Sequence, residues 1–321
     1  MRYRPLGTTG LTVSEIGFGA WGIGGDTGGA VAYGPTDDQE SLRALKRAFE
    51  LGVTFYDTAD LYGHGHSEQL LGEAFRDVRA RVILASKTGF LDQAGRQDFS
   101  PAHVRTSLEG SLRRLGTDYL DLYQLHDPPM ALLEQEPRIV ETLEAFVQQG
   151  MIRAWGLSLR SPDDALVAIR RLGAACIQTN FNLLDQRAIE SGLLALCEAQ
   201  RAGVIIRTPL CFGFLTGAID GATPFDGRDH RSRWSAEQRV RWAAGARTVA
   251  QTLSTPQSSP AQLALRFCLS YPAVSTAIPG MLTAAHVDEN AAASDLEPLA
   301  ERERCAAEAV YHKHVFFGGR A

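Results

Sequence analysis

The feature that most constrains the fold of this chain is a repeated alternation of short apolar segments with longer amphipathic ones. The short segments are rich in β-branched and aromatic residues, as buried strands are, and the longer segments have the apolar spacing of helices. Eight such units in about 300 residues predict one closed (β/α)8 TIM barrel. The predicted strands are Ile16–Ala20, Val53–Tyr56, Val82–Ser86, Tyr119–Leu125, Ile152–Leu157, Cys176–Thr179, Val204–Ile206 and Ala273–Ile278.

No Pro- or Ser-rich linker and no shift in composition divides the chain, so residues 1–321 are predicted to form a single domain. A doubly wound open sheet also alternates strands with helices, but its phosphate-binding G-x-G-x-x-G is missing after the first strand. An N-terminal hairpin of Arg2–Leu6 and Thr12–Ser14 is predicted before the barrel. A long polar loop, Phe212–Gln238, follows strand seven, and loops of that length in compact domains are usually functional.

Capping residues predict where the helices begin. Thr36 and Gln39 form a capping box for a helix that ends at Gly52, and Ser67 with Glu68 opens the second helix. The third helix starts at Ser100 and Pro101, and Ser161 with Pro162 caps a later one. The remaining predicted helices are Arg138–Gln149, Asp163–Leu172, Ile189–Arg201 and Thr283–Ala293.

Four polar side chains lie where the chain leaves a predicted strand. Asp57 ends the second strand, Tyr62 lies in the Gly-flanked loop after it, Lys87 ends the third strand and His126 ends the fourth. The carboxyl ends of barrel strands meet at one face. We therefore expect these four residues around one cavity, as the catalytic group.

These four residues together have the chemical groups needed to protonate a carbonyl oxygen. An ordinary phenol, with a pKa near 10, is a poor proton donor at neutral pH, and a nearby ammonium favours its ionised form. Lys87 can supply that charge, Asp57 can compensate the burial of Lys87, and His126 can orient a substrate oxygen or relay its proton. Each residue alone is better explained by an ion pair, packing or a turn, but the four together favour the functional interpretation.

Two other kinds of chemistry were considered for the same residue types. Lys87 can instead form a Schiff base, as in barrel aldolases, although Asp57 and Tyr62 make acid catalysis the better interpretation. The histidine pairs His64/His66 and His312/His314 have no companion cysteine or carboxylate ligands at a recognisable spacing. No metal site is predicted.

Composition excludes several classes of protein. The net charge is -5 and the basic residues are scattered, which is not the pattern of a nucleic-acid binder. The sequence has no apolar stretch long enough for a signal peptide or a membrane span, so a cytoplasmic location and no membrane partner are predicted. Five cysteines without C-x-x-C spacing indicate reduced thiols, for which buried apolar roles are predicted. The alternative is a more reactive thiol at Cys211, in a loop expected near the cofactor.

Four stretches resemble the signatures of the aldo-keto reductase superfamily, in particular its bacterial and channel-β-like branch. They are D-T-A-D-L-Y-G-H-G-H-S-E at 57–68, S-L-R-R-L-G-T-D-Y-L-D-L-Y-Q-L-H at 111–126, P-L-C-F-G-F-L-T-G at 209–217, and I-P-G with a following E-N within 278–290. The resemblance runs from about Leu6 to Asn290. It implies a (β/α)8 enzyme that moves hydride between a nicotinamide dinucleotide and a carbonyl or alcohol. It also implies Tyr62 as general acid, Lys87 and Asp57 as its tuning pair, and His126 as the residue that orients the carbonyl.

The resemblance also implies a cofactor site, with some departures from the family pattern. Leu159 stands where an Asn is usual beside the carboxamide-binding residues, and Ala218 replaces a Lys for which Arg231 can substitute. Arg207 stands where many members stack a Tyr on the nicotinamide; a guanidinium can stack there or reach a phosphate. The implied cofactor residues are Ser158, Gln178, Arg207, Thr208, Pro209, Leu210, Gly213, Gly217, Arg231, Gly280, Thr283, His286, Glu289 and Asn290.

The expected cofactor is NADP(H), with NAD(H) also usable. The segment expected to hold the adenosine 2′-phosphate offers only His286 as a cation and Thr283 as a hydroxyl, whereas such phosphates favour an Arg fork. The preference for NADP(H) is therefore expected to be modest and to weaken as that imidazole loses its proton. Glu289 and Asn290 are expected to address the adenine.

The substrate is expected to be a small carbonyl or alcohol compound, such as an aldehyde, ketone or sugar. Trp21 and Phe90 are predicted to line its pocket, since amphipathic and aromatic rings at a barrel mouth offer a wall. The alternative is a dinucleotide-binding regulatory or redox-sensing subunit with little turnover, because this fold also serves that role.

Overall fold

The computed structural model describes residues 1–26, 31–253 and 258–317. The chain begins with an antiparallel hairpin of strands β1 (Tyr3–Pro5) and β2 (Thr12–Ser14). The hairpin was predicted at this place, with a first strand two residues longer. Within the described ranges, no helix combines the length and apolar character needed to cross a membrane.

The hairpin packs against the barrel through its turn. Leu6 is fully buried in an apolar cluster that includes Phe55 and Ile205, which belong to barrel strands. Gly7, with a positive φ of 55°, lies directly against the backbone of Gly203, and a Cβ at Gly7 would collide with that backbone. The hairpin therefore covers the end of the barrel at which the strands begin.

Eight parallel strands form one sheet in which each strand pairs with its neighbours in chain order. Parallel bridges join Ile16 to Ala277 and Gly19 to Gly280, and the N–H of Gly17 donates to the carbonyl of Ala277 at 2.8 Å, so the first strand meets the last. The predicted (β/α)8 barrel is confirmed. Its strands are β3 (Phe18–Gly19), β4 (Phe55–Asp57), β5 (Ile83–Thr88), β6 (Leu120–His126), β7 (Ile152–Ser158), β8 (Cys176–Asn180), β9 (Gly203–Arg207) and β10 (Val274–Ala277).

The strands differ from the predicted ones mainly at their carboxyl ends. Asp57, Lys87, His126 and Ser158 were predicted just after strands and instead belong to them. The backbone ladder does not depend on side-chain polarity, so a strand continues past the point at which its sequence becomes polar. The predicted first strand, Ile16–Ala20, is reduced to two residues.

Helices connect the strands, and four of those described add to the basic repeat: the short α4 and α7, the long α9 and the C-terminal α12. The helices are α1 (Asp38–Glu50), α2 (His66–Phe75), α3 (Pro101–Leu115), α4 (Met130–Gln135), α5 (Arg138–Gln148), α6 (Pro162–Leu172), α7 (Arg187–Glu190), α8 (Leu193–Gln200), α9 (Ala236–Thr252), α10 (Pro260–Leu269), α11 (Ala284–Ala291) and α12 (Glu301–Lys313).

Side-chain caps begin several helices as predicted. The Ser100 hydroxyl accepts from the N–H of His103, and the Ser161 hydroxyl accepts from the N–H of Asp164. The predicted capping box at Thr36 and Gln39 is wrong. Asp37 is the N-cap instead, and its carboxylate accepts from the N–H of Glu40, one residue later than predicted.

Two further helix predictions are corrected. Ser67 does not open α2, because it lies inside the helix, where its hydroxyl donates to the carbonyl of Ala20 at 2.8 Å. The predicted helix Ile189–Arg201 is two helices, α7 and α8, separated at Gly192 with a φ of 77°. A left-handed residue ends a helix, and glycine adopts that conformation without steric cost.

The segment Phe212–Gln238 was predicted as a loop but contains regular structure. A 3-10 helix, Cys211–Thr216, begins it, a second one spans His230–Arg233, and α9 starts before its end. Asp229 forms a bridge to Ala32, and the N–H of His230 donates to the Ala32 carbonyl at 2.9 Å. The segment is thereby tied to the loop after β3.

Candidate active site

A cavity of about 810 Å³ lies at the carboxyl ends of the strands, and most of the predicted site residues line it. Lys87, Ser158, Gly217 and Thr283 do not line it directly. The predicted residues that do are Trp21, Asp57, Tyr62, Phe90, His126, Gln178, Arg207, Thr208, Pro209, Leu210, Gly213, Arg231, Gly280, His286, Glu289 and Asn290.

Lys87 links two predicted side chains, those of Asp57 and Tyr62, and one backbone carbonyl beneath the cavity. Its ammonium donates to Asp57 Oδ2 at 2.5 Å, to the carbonyl of Thr58 at 2.8 Å and to the Tyr62 hydroxyl at 3.3 Å. The side chain is fully buried. Burial opposes the charge, but the Asp57 carboxylate and the Tyr62 oxygen outweigh it and raise the pKa of Lys87. The amine is therefore protonated and has donated its hydrogens, which disfavours Schiff-base chemistry.

The second oxygen of Asp57 is held by two amides. Gln178 Nε2 donates to Asp57 Oδ1 at 2.8 Å, and Gln124 Nε2 donates to it at 3.2 Å. The Ser158 hydroxyl donates to Gln178 Oε1 at 3.2 Å. Sequence reasoning missed Gln124, although its position two residues before His126 on one strand places both side chains on the same face. These contacts fix the carboxylate that faces Lys87.

Tyr62 and His126 lie next to each other at the cavity wall. Their ring centroids are 6.1 Å apart in an edge-on arrangement, and Phe90 lies edge-on to His126 at 4.9 Å. Burial, together with the charges of Lys87 and Arg207, holds the pKa of His126 well below its usual range. His126 is thus a neutral imidazole with a single N–H, and its buried Nδ1 has no partner among the described residues.

An aromatic wall, formed by Trp21, Tyr33, His230 and Trp234, lies beside Tyr62; Trp21, Tyr33 and Trp234 line the cavity, and His230 packs against all three. The Trp21 ring lies 6.4 Å from Tyr62, 5.2 Å from Tyr33 and 4.5 Å from His230, and its Nε1 donates to the carbonyl of Val31 at 2.9 Å. Trp234 packs on His230 at 5.0 Å. Sequence reasoning identified Trp21 but missed the other three, because they meet only when distant segments fold together.

The segment after β9 lines the cavity with strained backbone. Thr208, Cys211 and Phe212 have φ values of 55°, 46° and 57°, a region that non-glycine residues rarely adopt, and Gly213 follows at 96°. Such strain concentrates at functional sites. Cys211 is buried and burial raises the pKa of its thiol, so the structure does not favour the prediction of a reactive cysteine there.

The arginine predicted to approach the cofactor from the long segment already has a carboxylate partner. Arg231 binds Asp229 with Nη2 to Oδ2 at 2.6 Å and Nε to Oδ1 at 3.0 Å, and its guanidinium lies over the Tyr33 ring at 4.7 Å. Arg231 does line the cavity, but its charge is balanced. The side chain of Arg207, by contrast, makes no hydrogen bond or ion pair within the part of the chain that the structure describes, and its Nε is buried.

The start of α11 provides the opposite lining of the cavity. The Thr283 hydroxyl caps this helix by accepting from the N–H of His286, and His286 Nδ1 accepts from the N–H of Leu282 at 3.3 Å. Asn290 is buried, whereas Glu289 is exposed. In its neutral form His286 keeps one N–H free for a ligand.

One histidine of each of the two pairs, His64/His66 and His312/His314, lies close to a carboxylate. His66 hydrogen-bonds to Asp38 and to the carbonyl of Gly24, and His312 lies 3.5 Å from Glu190. Across the described ranges, no group of three or more His, Cys, Asp or Glu side chains is arranged to hold a metal ion.

A family model for aldo/keto reductases matches residues 15–311. The oxidoreductase YqkF of Bacillus subtilis (strain 168) is 33% identical over 311 residues, which are 94% of each chain. A probable voltage-gated potassium channel subunit beta of Oryza sativa subsp. japonica is 32% identical over 319 residues, 93% of each chain. The holo form of aldo-keto reductase AKR11C1 from Bacillus halodurans has a TM-score of 0.79 and 29% identity, covering 97% of this chain and 96% of its own.

Proposed function

The chain belongs to the aldo-keto reductase family, and from this premise we propose that it transfers hydride between a nicotinamide dinucleotide and a carbonyl or alcohol substrate. The observation that carries the proposal is the buried chain of contacts from Asp57 through the Lys87 ammonium to the Tyr62 hydroxyl. The Lys87 ammonium lies 3.3 Å from the hydroxyl of Tyr62, which lines the cavity. Because burying a charge costs free energy, this ammonium is better explained by a role in proton donation than by a contribution to stability.

Each side chain then has a defined task. The Tyr62 hydroxyl gives its proton to the carbonyl oxygen of the substrate, and Lys87 stabilises the phenolate that remains. Asp57 holds Lys87, and the neutral His126 donates its N–H to the same carbonyl oxygen. In the direction of oxidation Tyr62 acts as the base.

The cavity fits a nicotinamide dinucleotide, which when bound supplies the hydride. Its volume suits a ligand of that size together with a small substrate. The N-terminus of α11 offers backbone N–H groups to a phosphate, and the left-handed backbone around Phe212 and Gly213 allows close approach. Arg207 Nε, buried without a partner among the described residues, also indicates that the cavity is built for an anionic ligand.

We expect NADPH to be preferred over NADH only modestly, within about tenfold in kcat/KM, as one hydrogen bond to a charged group allows. His286 is the residue proposed to hold the 2′-phosphate, through the ring N–H that remains when its Nδ1 accepts from the N–H of Leu282. Measuring kcat/KM for both dinucleotides in the native protein and in His286→Ala tests this. A strong preference that the substitution leaves unchanged would assign the phosphate to another residue.

Trp21 is proposed to shape the substrate pocket. Trp21→Ala removes the ring that contacts Tyr62 and Tyr33, so we expect relative activities across a panel of aldehydes, ketones and sugars to change order. Trp242→Phe is a matched control, because Trp242 is buried in the adjoining aromatic cluster and does not line the cavity. If both variants lower the melting temperature and neither alters selectivity, Trp21 has only a packing role.

A regulatory or redox-sensing subunit is the second candidate, since one relative bears the name of a channel subunit. The two functions are separated by measuring dinucleotide binding and turnover in the same preparation. Oxidation of NADPH with members of the carbonyl panel would support the enzyme. Tight dinucleotide binding without turnover on any of them would support the sensor.

A further inference from the structure

A glutamine outside the proposed catalytic group holds the end of the strand that carries His126. Gln97 lies in the loop after β5, and its Nε2 donates to the carbonyl of His126 at 3.2 Å and to the carbonyl of Asp127 at 2.9 Å. The ladder between β5 and β6 ends at the pair Thr88 and Leu125, so His126 lies one residue beyond it. One amide thus supplies the hydrogens for two consecutive carbonyls that follow the ladder.

The backbone that Gln97 holds is a strained corner. Asp127 has a φ of 58°, in the left-handed region that residues other than glycine rarely adopt. Its N–H donates to the carbonyl of Ser158 at 2.7 Å, and its carboxylate accepts from the backbone N–H and the Nε of Arg160, both at 3.1 Å. Such a conformation persists only where the surrounding contacts determine it. Gln97 supplies the contact from the loop after β5, and His126 directly precedes the corner.

The loop that contains Gln97 also places an aromatic ring against His126. Phe90 forms an antiparallel bridge with Gln97 and lies edge-on to the His126 imidazole, with 4.9 Å between the ring centroids. The guanidinium of Arg160 lies 5.8 Å from the centroid of the Phe90 ring. Gln97 therefore acts on the imidazole by two routes, through the backbone of His126 and through the ring of Phe90.

We propose that Gln97 is a positioning residue for His126, which sets the direction in which the imidazole donates its N–H to the substrate carbonyl. This role rests on the proposed function, in which His126 donates to that oxygen. Gln97 itself does not line the cavity, so its effect on the substrate passes through His126. A misplacement of about 1 Å can lower a rate by about 10²-fold, so a residue that does not touch the substrate can still have a large effect.

The kinetic test uses Gln97→Leu, which removes both hydrogens and keeps a side chain of similar size. We expect kcat with a reactive aldehyde to fall by roughly ten- to a hundredfold. The dissociation constant of NADPH should change little, because the hydrogen bonds of Gln97 end at His126 and Asp127, neither of which is a proposed cofactor residue. Gln97→Glu keeps the shape but turns an acceptor towards the two carbonyls, so it should show a similar loss.

Arg96→Leu is the matched control for both Gln97 variants. Arg96 directly precedes Gln97 in the same loop, its side chain is 76% exposed and pairs with Asp92, and it does not line the cavity. Its replacement should leave kcat close to that of the native protein. A loss as large as that of Gln97→Leu would show that any change in this loop lowers turnover, and would overturn the proposal.

A double variant separates positioning from a general structural role. In a His126→Ala background the imidazole is absent, so Gln97→Leu should cause little further loss of kcat, and the two effects should be non-additive. A structural role would lower kcat by the same factor in both backgrounds, and that result overturns the proposal. Full turnover in Gln97→Leu would overturn it as well.

A spectroscopic test requires no turnover. The imidazole signals of His126 in protein with isotope-labelled histidine, assigned by their loss in His126→Ala, report the tautomer and the surroundings of the ring. Both Gln97 variants should shift these signals, and Arg96→Leu should leave them in place. Shifted signals in a protein without turnover would refute the proposed function and support the placement of His126 by Gln97. Signals that neither Gln97 variant moves overturn the proposal, whatever the turnover.

Discussion

Tyr62→Phe is expected to lower kcat by at least about 10²- to 10⁴-fold while dinucleotide binding persists, because it removes the proton donor and keeps the ring. The ring contacts with Trp21 and His126 do not need the hydroxyl, so the melting temperature should change little. The measurements are steady-state turnover with a reactive aldehyde and NADPH titration by fluorescence.

Tyr33→Phe is the matched control for this prediction. Tyr33 also presents a phenol to the cavity, but burial raises its pKa to about 12 and the nearest charge, Arg231, is already paired with Asp229. Its loss should cost far less turnover than the loss of Tyr62. Comparable activity in the two variants would rule out Tyr62 as the general acid.

Lys87→Met is expected to produce a loss of turnover similar to that of Tyr62→Phe, and to move the alkaline limb of the pH profile upward. The upward shift follows because the ammonium that stabilises the Tyr62 phenolate is gone. The substitution also leaves Asp57 buried without its cation, which typically costs about 3–5 kcal/mol of the free energy of unfolding. The measurements are a pH–rate profile and denaturant unfolding.

The double variant Asp57→Asn/Lys87→Met separates catalysis from stability. Removing both charges should recover much of the lost stability, because neither group is then left uncompensated. Turnover should stay low, since the cation next to Tyr62 is still missing. An unchanged pH profile in Lys87→Met, or turnover that recovers together with stability, would reduce Lys87 to a structural role.

The sequence predicted the barrel and the grouping of its strand-end residues for physical reasons that operate locally. Apolar periodicity is a property of single segments, and parallel strands bring Asp57, Lys87 and His126 to one face whatever their exact ends. The prediction missed Gln124, because its position on the same face of β6 as His126 did not show that its amide would bind the Asp57 carboxylate across the barrel.

The aromatic wall, and which of the arginines have a carboxylate partner, depend on contacts that cannot be read from the sequence. Tyr33 meets His230, on which Trp234 packs, because Asp229 pairs with Ala32, far away along the chain. Arg231 and Asp229 are two residues apart, so their ion pair could have been predicted from the sequence. The residues next to Arg207 in the sequence do not show that its side chain would lack such a partner. The residues that the sequence did not predict are those whose positions depend on long-range packing rather than on local secondary-structure propensity.

The bridge between Asp229 and Ala32 also determines which segments must be transferred together when chimeras are made between this protein and its relatives. The loop after β3 and the segment after β9 supply the two halves of the aromatic wall, and His230 is held by the Ala32 carbonyl on both its backbone N–H and its ring, at 2.9 Å and 3.0 Å. A chimera that receives only one of these segments would leave the other without its packing partner. A change of substrate specificity by recombination therefore requires both segments to be transferred together, as one unit.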